Sequence, residues 1–239
     1  MEDKQVHHIH LFKGIMKPNE EFRDLREAEE VKGLGWRLVV LSVVNAIIAG
    51  VAGYVATQVL NITTQTSGKL NNPEMPQELV QGMAIGGAAI GGLVQPVIVM
   101  AIMALIFLIF FSDIGYKKLF AVELYLQLIG LIGGIVSGIL MVVFRSGTQS
   151  FLNLGAITHL ITDNAFINGF FGGISIFLIW KVYVQINAYR QASRKSSSSV
   201  AWTLIIINIV FMLILGGLAL LGQQMTEFFQ HMPQMQQPK

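Results

Sequence analysis

The sequence has no cysteine in its 239 residues. That excludes a disulfide framework, a thiolate metal site and a cysteine nucleophile. Charge is scarce too. Asp, Glu, Lys and Arg make up 13% of the chain, against roughly 25% in an ordinary soluble domain. The usual catalytic patterns are missing: there is no Gly-rich phosphate loop ending in Lys-Ser/Thr, no His-Glu-x-x-His and no Gly-x-Ser-x-Gly. What is present is apolar. Hydrophobic residues reach 53%, and four stretches of more than 20 residues carry at most one charge each. This excludes a soluble enzyme, a disordered chain and a nucleic-acid binder. It leaves an all-α polytopic membrane protein, read as having no catalytic residues, no cofactor and no metal.

A helical span needs about 20 apolar residues to cross a hydrocarbon core of roughly 30 Å. Five segments qualify: about 38–60, 83–111, 119–144, 163–183 and 200–222. They are too long and too evenly apolar for the alternating strands of a membrane barrel. The second is too long for an upright straight helix, and Pro96 is its candidate bend. The fourth is clean over 165–180 and continues past Lys181, which would snorkel. The predicted domains are a cytosolic or interfacial segment 1–35, a five-span membrane domain 36–223 and a tail 224–239.

Positive charge sets the orientation. Lys4, Lys13, Lys17, Arg23, Arg26, Lys32, Arg37, Lys117, Lys118, Lys181, Arg190, Arg194 and Lys195 fall on one side, thirteen in all. Lys69, Arg145 and Lys239 fall on the other, three in all. The expectation is a cytoplasmic N-terminus and an extracytoplasmic C-terminus. The charged first 35 residues have no apolar centre or small-residue cleavage site, so the first span is expected to serve as its own signal anchor.

In the soluble pieces, Pro18-Asn19-Glu20-Glu21-Phe22 reads as a helix start, with Asn19 as N-cap and acids in the first turn. Phe22 and Leu25 form one short apolar face, and Phe12, Ile15 and Met16 another. Both are expected to lie on the membrane as interfacial helices. Asn61-Ile62-Thr63 matches a glycosylation sequon, a common chance match. Ser196–Ser199 read as a solvated linker and the Met-rich tail as an ordinary tail, not a soft-metal site.

Few polar groups look chemical. His7, His8 and His10 cluster, but nothing adjacent supplies a further metal ligand. His159 and Asp163 stand one helical turn apart and form the one candidate polar site, which a structural role at the polar start of a span explains better. Glu123 fits a helix N-terminus beside Lys117 and Lys118 better than a proton relay, since no further acid or histidine lies mid-span. Small residues are more informative. Gly82/Gly86 and Gly87/Gly91 on the second span, Gly130, Gly134 and Gly138 on the third, and Gly169/Gly173 on the fourth recur at four-residue spacing. That spacing lets backbones approach closely, so these are the candidate helix-packing positions.

The layout carries a resemblance. Pro18–Phe22 leads into the spans; Lys117-Lys118-Leu119-Phe120 opens the third and Phe177-Leu178-Ile179-Trp180 lies in the fourth. Over about residues 11–222 the chain resembles the bacterial form of the Yip domain family, the Ypt-interacting-protein type of five-span membrane protein. The Asp-Leu-Tyr-Gly-Pro motif of eukaryotic members is absent, which leaves a vesicle-traffic role without its motif. The resemblance implies a bacterial cell-membrane protein that assists an ABC-type exporter (permease, adaptor and ATPase) in protection against a secreted toxic peptide. The expected partners are membrane lipids, those exporter subunits and further copies of the chain. A stand-alone small-solute or lipid transport element is the alternative.

Overall fold

The computed structural model describes residues 6–67, 77–144 and 152–231. A short strand β1 (Val6–His8) leads to helices α1 (Leu11–Met16) and α2 (Pro18–Glu27) and to strand β2 (Glu30–Lys32). The two strands pair in parallel, with His7 opposite Val31. These elements form a small cap. Long helices follow: α3 (Leu34–Ser67), α4 (Gln77–Phe110) and α5 (Tyr116–Phe144). Then come α6 (Gly155–Thr158), α7 (Ala165–Gly172), α8 (Ile176–Ala192) and α9 (Ser197–His231). Among the described residues four helices are long and apolar enough to cross a membrane: α3, α4, α5 and α9.

The fourth predicted span departs from expectation. The segment 163–183 is two helices, α7 and α8, interrupted at Gly173, Ile174 and Ser175. Ser175 is extended and its Oγ accepts the amide of Leu178, capping α8 and preventing a continuous helix. The interrupted backbone bonds to the preceding segment: Leu154 N–H donates to Ile174 O and Ile176 N–H donates to Leu152 O. Gly155 fits against the Cα of Gly172 at this crossing.

The core gathers at the end of the bundle that bears the cap. Met100 and Phe107 of α4, Phe111 just after it, Leu126 and Ile129 of α5, Val184 and Tyr189 of α8, and Leu204 of α9 are all buried there. Phe107, Phe111 and Tyr189 form a tilted aromatic trio with ring centres 4.8–6.4 Å apart. The rest of α3, α4 and α9 carries exposed Val, Ile and Leu, as lipid contact allows.

For α2 the structure departs from the expected interfacial placement. Helices α1 and α2 form, but Ile15, Phe22 and Leu25 are buried against the bundle. Only Phe12 and Met16 stay exposed. The face of α2 is consumed by α5 and α8, which offer a larger apolar partner within the chain.

Helices α3 and α4 pack through small residues. Added to Gly92, a Cβ would lie 2.6 Å from Ala49 Cβ and 2.9 Å from Asn45 O. One polar bond ties this contact. Pro96 has no N–H, so the carbonyl of Gly92, four residues earlier, loses its helical donor. The Asn45 side-chain amide donates to that carbonyl at 2.7 Å. The helix runs through Pro96 with the orphaned acceptor satisfied from its neighbour. Asn45→Ala should therefore cost about 1 kcal/mol, a usual size for an interhelical hydrogen bond. In a Pro96→Ala background, where α4 regains its own donor, most of that cost should vanish. A double-mutant cycle by denaturant titration in mixed micelles checks this, and additive costs would refute the coupling.

Candidate functional site: a buried carboxylate under the N-terminal cap

Helix α2 begins with Pro18 in its first turn, followed by Glu20 and Glu21, as a helix N-terminus favours. Pro18, Glu21, Phe22 and Leu25 lie on one face and are all buried. Glu21 thus enters the protein among apolar neighbours, with no exposed surface.

Three donors converge on one of its oxygens. The Tyr125 hydroxyl on α5 donates to Glu21 Oε1 at 2.6 Å. The His10 backbone N–H donates to it at 3.0 Å. His7 Nε2 lies 3.1 Å away, and its role as donor follows from pairing with a carboxylate. The alternation of β1 turns His7 inward between exposed Val6 and His8. On the second oxygen, Lys13 Nζ forms an ion pair at 3.4 Å and also reaches Asp24 Oδ2 at 3.2 Å. Burial alone would raise the pKa of Glu21. The hydrogen bonds from His7, Tyr125 and His10 outweigh it and lower the pKa from 4.5 to about 2. The Asp24 hydrogen bond and the nearby acids raise the pKa of Lys13.

Packing supports the same junction. The Phe22 ring meets the Tyr125 ring edge-on at 5.1 Å. Gly14 lets α1 close on Tyr125, since a Cβ there would lie 2.3 Å from the ring. At the rim, Lys118 Nζ donates to Arg26 O at 2.7 Å. An open pocket of about 440 Å³ beside Glu21 is lined by His7, His8, His10, Lys13, Asp24 and Glu27 among others. Among the described residues no three His, Asp or Glu side chains are placed to hold a metal ion.

A second polar cluster lies between α5, α8 and α9. The Tyr189 hydroxyl donates to Glu123 Oε1 at 3.2 Å. Gln185 also hydrogen-bonds Glu123, and its Oε1 accepts from Asn208 Nδ2 at 3.1 Å. Glu123 is buried with these partners, rather than resting on Lys117 or Lys118 at the helix start. The groups form a bonding chain that joins three helices.

The other expected positions scatter. His159 and Asp163 are both exposed, and no hydrogen bond or ion pair joins them. Gly169 packs on α9, with Ala219 and the Gly216 backbone at its back, and Gly173 meets Leu215. Gly87, Gly91, Gly130, Gly134 and Gly138 have, among the described residues, no atom outside their own helix backbone within 4 Å of where a Cβ would stand. Further close contacts between long helices fall on Gly53 and Gly92, and Gly133 and Gly216 meet Phe177 and Phe166. The convergence of His7, Glu21 and Tyr125 was not anticipated from sequence. One signal was available: Glu21 shares helical spacing with Pro18, Phe22 and Leu25, which places an acid on an apolar face.

A bundle of charge-poor helices, capped at one end through a buried carboxylate, is a multi-pass membrane protein with an N-terminal segment folded onto its spans. The Yip1 domain family model matches residues 13–220. The chain belongs to that family. The matched region includes Glu21 and Tyr125, and it begins within α1, after β1. No curated protein and no solved structure matches the chain.

Proposed function

We propose that this chain is a non-enzymatic accessory or assembly subunit of an ABC-type exporter in the bacterial cell membrane. In this reading it belongs to the YknW-like branch of the family and contributes to protection against a secreted toxic peptide. The observation that carries the accessory role is the cap. Residues 6–32 are a folded surface fixed to the spans through Glu21, suited to presenting a rigid contact to a partner. The glycine positions on α4 and α5 that meet nothing within the chain leave small-residue faces for partner helices or a second copy.

The reading places the N-terminus in the cytoplasm and the C-terminus outside, with α7 and α8 together making a fifth, interrupted crossing. Irregular backbone at membrane depth is tolerated where protein covers it, and α7 lies against α9. Single cysteines at Ser67 and Ser197, labelled in intact cells with an impermeant thiol reagent, test this. Position 67 should react and position 197 should not; the reverse pattern inverts the orientation.

For the partner, the tagged full chain should co-purify an exporter's permease, adaptor and ATPase. Deleting the chain should sensitise cells to the toxic peptide. Replacing His159 by Ala and Asp163 by Asn should leave protection largely intact, whereas removing residues 1–35 should abolish it. Movement of a solute by the chain reconstituted alone, with no exporter subunit retained, would replace this reading with that of a stand-alone transport element.

A further inference from the structure

We propose that the membrane-facing side of the cap binds the headgroup of an anionic phospholipid, with Arg37 taking the phosphate and Phe12, Met16 and Trp36 seated in the surrounding interface. Trp36 and Arg37 open α3, whose residues Leu34–Gln58 are long and apolar enough to cross a membrane. They therefore stand at its boundary, where tryptophan and arginine anchor spans. A groove of about 610 Å³ connects the cap to that boundary and is lined by Ile9, His10, Leu11, Phe12, Lys13 and Arg37.

Exposure on the cap is selective. Phe12 is 71% exposed and Met16 74% exposed, one turn apart on α1, while Ile15 of the same helix is 5% exposed. Trp36, next to Arg37 in sequence, is 72% exposed. Phe22 and Leu25, on the other helix of the cap, are fully buried. Apart from Val6 at 37%, the large apolar side chains that the cap leaves uncovered belong to the helix that shares a groove with the start of a span.

Charge selects the lipid. Lys13 is matched by Glu21 and Asp24, so it offers little net field. Arg37 spends one N–H on Gly33 O at 3.0 Å and forms no ion pair among the described residues. Its remaining donors suit a phosphate oxygen pair. Lys17, exposed at the end of α1, adds a second cation. The walls supplied by Ile9, Leu11 and Phe12 offer no donors to a free anion, but they suit the glycerol and acyl region attached to a lipid phosphate. The site requires only that α3 crosses a membrane; which leaflet it faces rests on the orientation proposed above.

The test uses the full chain in nanodiscs, where both faces meet the same lipid. Trp180→Phe and Trp202→Phe leave Trp36 as the single reporter. Nanodiscs contain phosphatidylcholine with a minor fraction of phosphatidylglycerol, and bromine is placed on the chains of one lipid or the other at equal mole fraction. Brominated phosphatidylglycerol should quench Trp36 well above brominated phosphatidylcholine, reflecting enrichment of about fivefold for a basic side chain at the surface. Arg37→Gln should bring the two to parity. A spin label at Met16→Cys should report a depth within the interface in both backgrounds. Inorganic phosphate should leave the quenching ratio where chloride of equal ionic strength leaves it. Equal quenching with Arg37 intact, a fully aqueous label at position 16, or specific loss of the ratio to inorganic phosphate would each overturn the proposal. No exporter is present, so the outcome is independent of the accessory role.

Discussion

Glu21→Ala should release the cap from the bundle while leaving the spans assembled. The change removes one acceptor and leaves three donors without their carboxylate partner: the Tyr125 hydroxyl, the His10 amide and His7 Nε2. It also leaves Lys13 with Asp24 alone. Breaking a buried charged pair from one side costs roughly 3 kcal/mol or more. Amide exchange across residues 6–32 should then accelerate by about two orders of magnitude, because each factor of ten corresponds to about 1.4 kcal/mol. Exchange in α4 and α9 should hardly change. Glu21→Gln, which keeps one acceptor oxygen, should fall between, and Tyr125→Phe should lose about 1–2 kcal/mol. Unchanged cap protection in Glu21→Ala would show that apolar contacts alone hold it.

The same junction has a pH signature. Glu21 has a folded pKa of about 2 against 4.5 for the free side chain. A depressed acid contributes stability that is complete above the unfolded value and disappears as pH falls through the folded one. Cap attachment should therefore be constant from neutral pH down to about 5 and weaken between about 4.5 and 2, by a total of about 3 kcal/mol. The Glu21→Gln variant should lack this acid limb.

Gly92→Leu and Gly169→Leu should disrupt folding, whereas Gly134→Leu should not in the isolated chain. At Gly92 a Cβ would stand 2.9 Å from Asn45 O and 3.0 Å from Ala46 Cα, both backbone atoms that cannot rotate away. At Gly169 it would stand 3.1 Å from Gly216 Cα and from Leu215 O. Overpacking of this sort costs about 1–3 kcal/mol where side chains give way, and more where two backbones must separate. Thermal melts followed by size-exclusion chromatography in detergent should show aggregation at lower temperature for the first two variants and a wild-type curve for Gly134→Leu. If Gly134→Leu instead fails only when a partner or second copy is present, the α5 stripe is an intermolecular face. A wild-type melt for Gly92→Leu would refute the close approach of α3 and α4.

Four of the long helices were legible because each is an unbroken apolar run, and lipid imposes length and composition directly. The α7–α8 break was not read, although Gly172-Gly173-Ile174-Ser175 contains its cause: two glycines and then an N-capping serine. A hydropathy run hides such a signal, since none of these residues is charged. Gly169 lies close to α9, yet glycine spacing alone does not say which helix lies opposite. On α3 the face that meets α4 is written as Asn45, Ala46, Ala49, Gly50 and Gly53, where alanines count as much as glycines. The cap was the least legible part. Its helices were visible, but Phe22 and Leu25 carry the same pattern whether they face lipid or protein. The acceptor–donor match of Glu21 with Tyr125 spans 104 residues, beyond any local periodicity.

That separation fixes an order of events during synthesis. The cap leaves the ribosome with Glu21 facing only His7, His10 and Lys13, all supplied by neighbours in the first 21 residues. Its shortest bond, and the aromatic edge that packs on Phe22, wait for Tyr125. Tyr125 arrives only after α3 and α4 have been made and α5 has begun to form. A closed cap is thus a local report that the first two long helices and the start of the third are in place. A contact that reads the closed cap distinguishes a chain that has reached α5 from one still short of it, without touching the membrane interior at all.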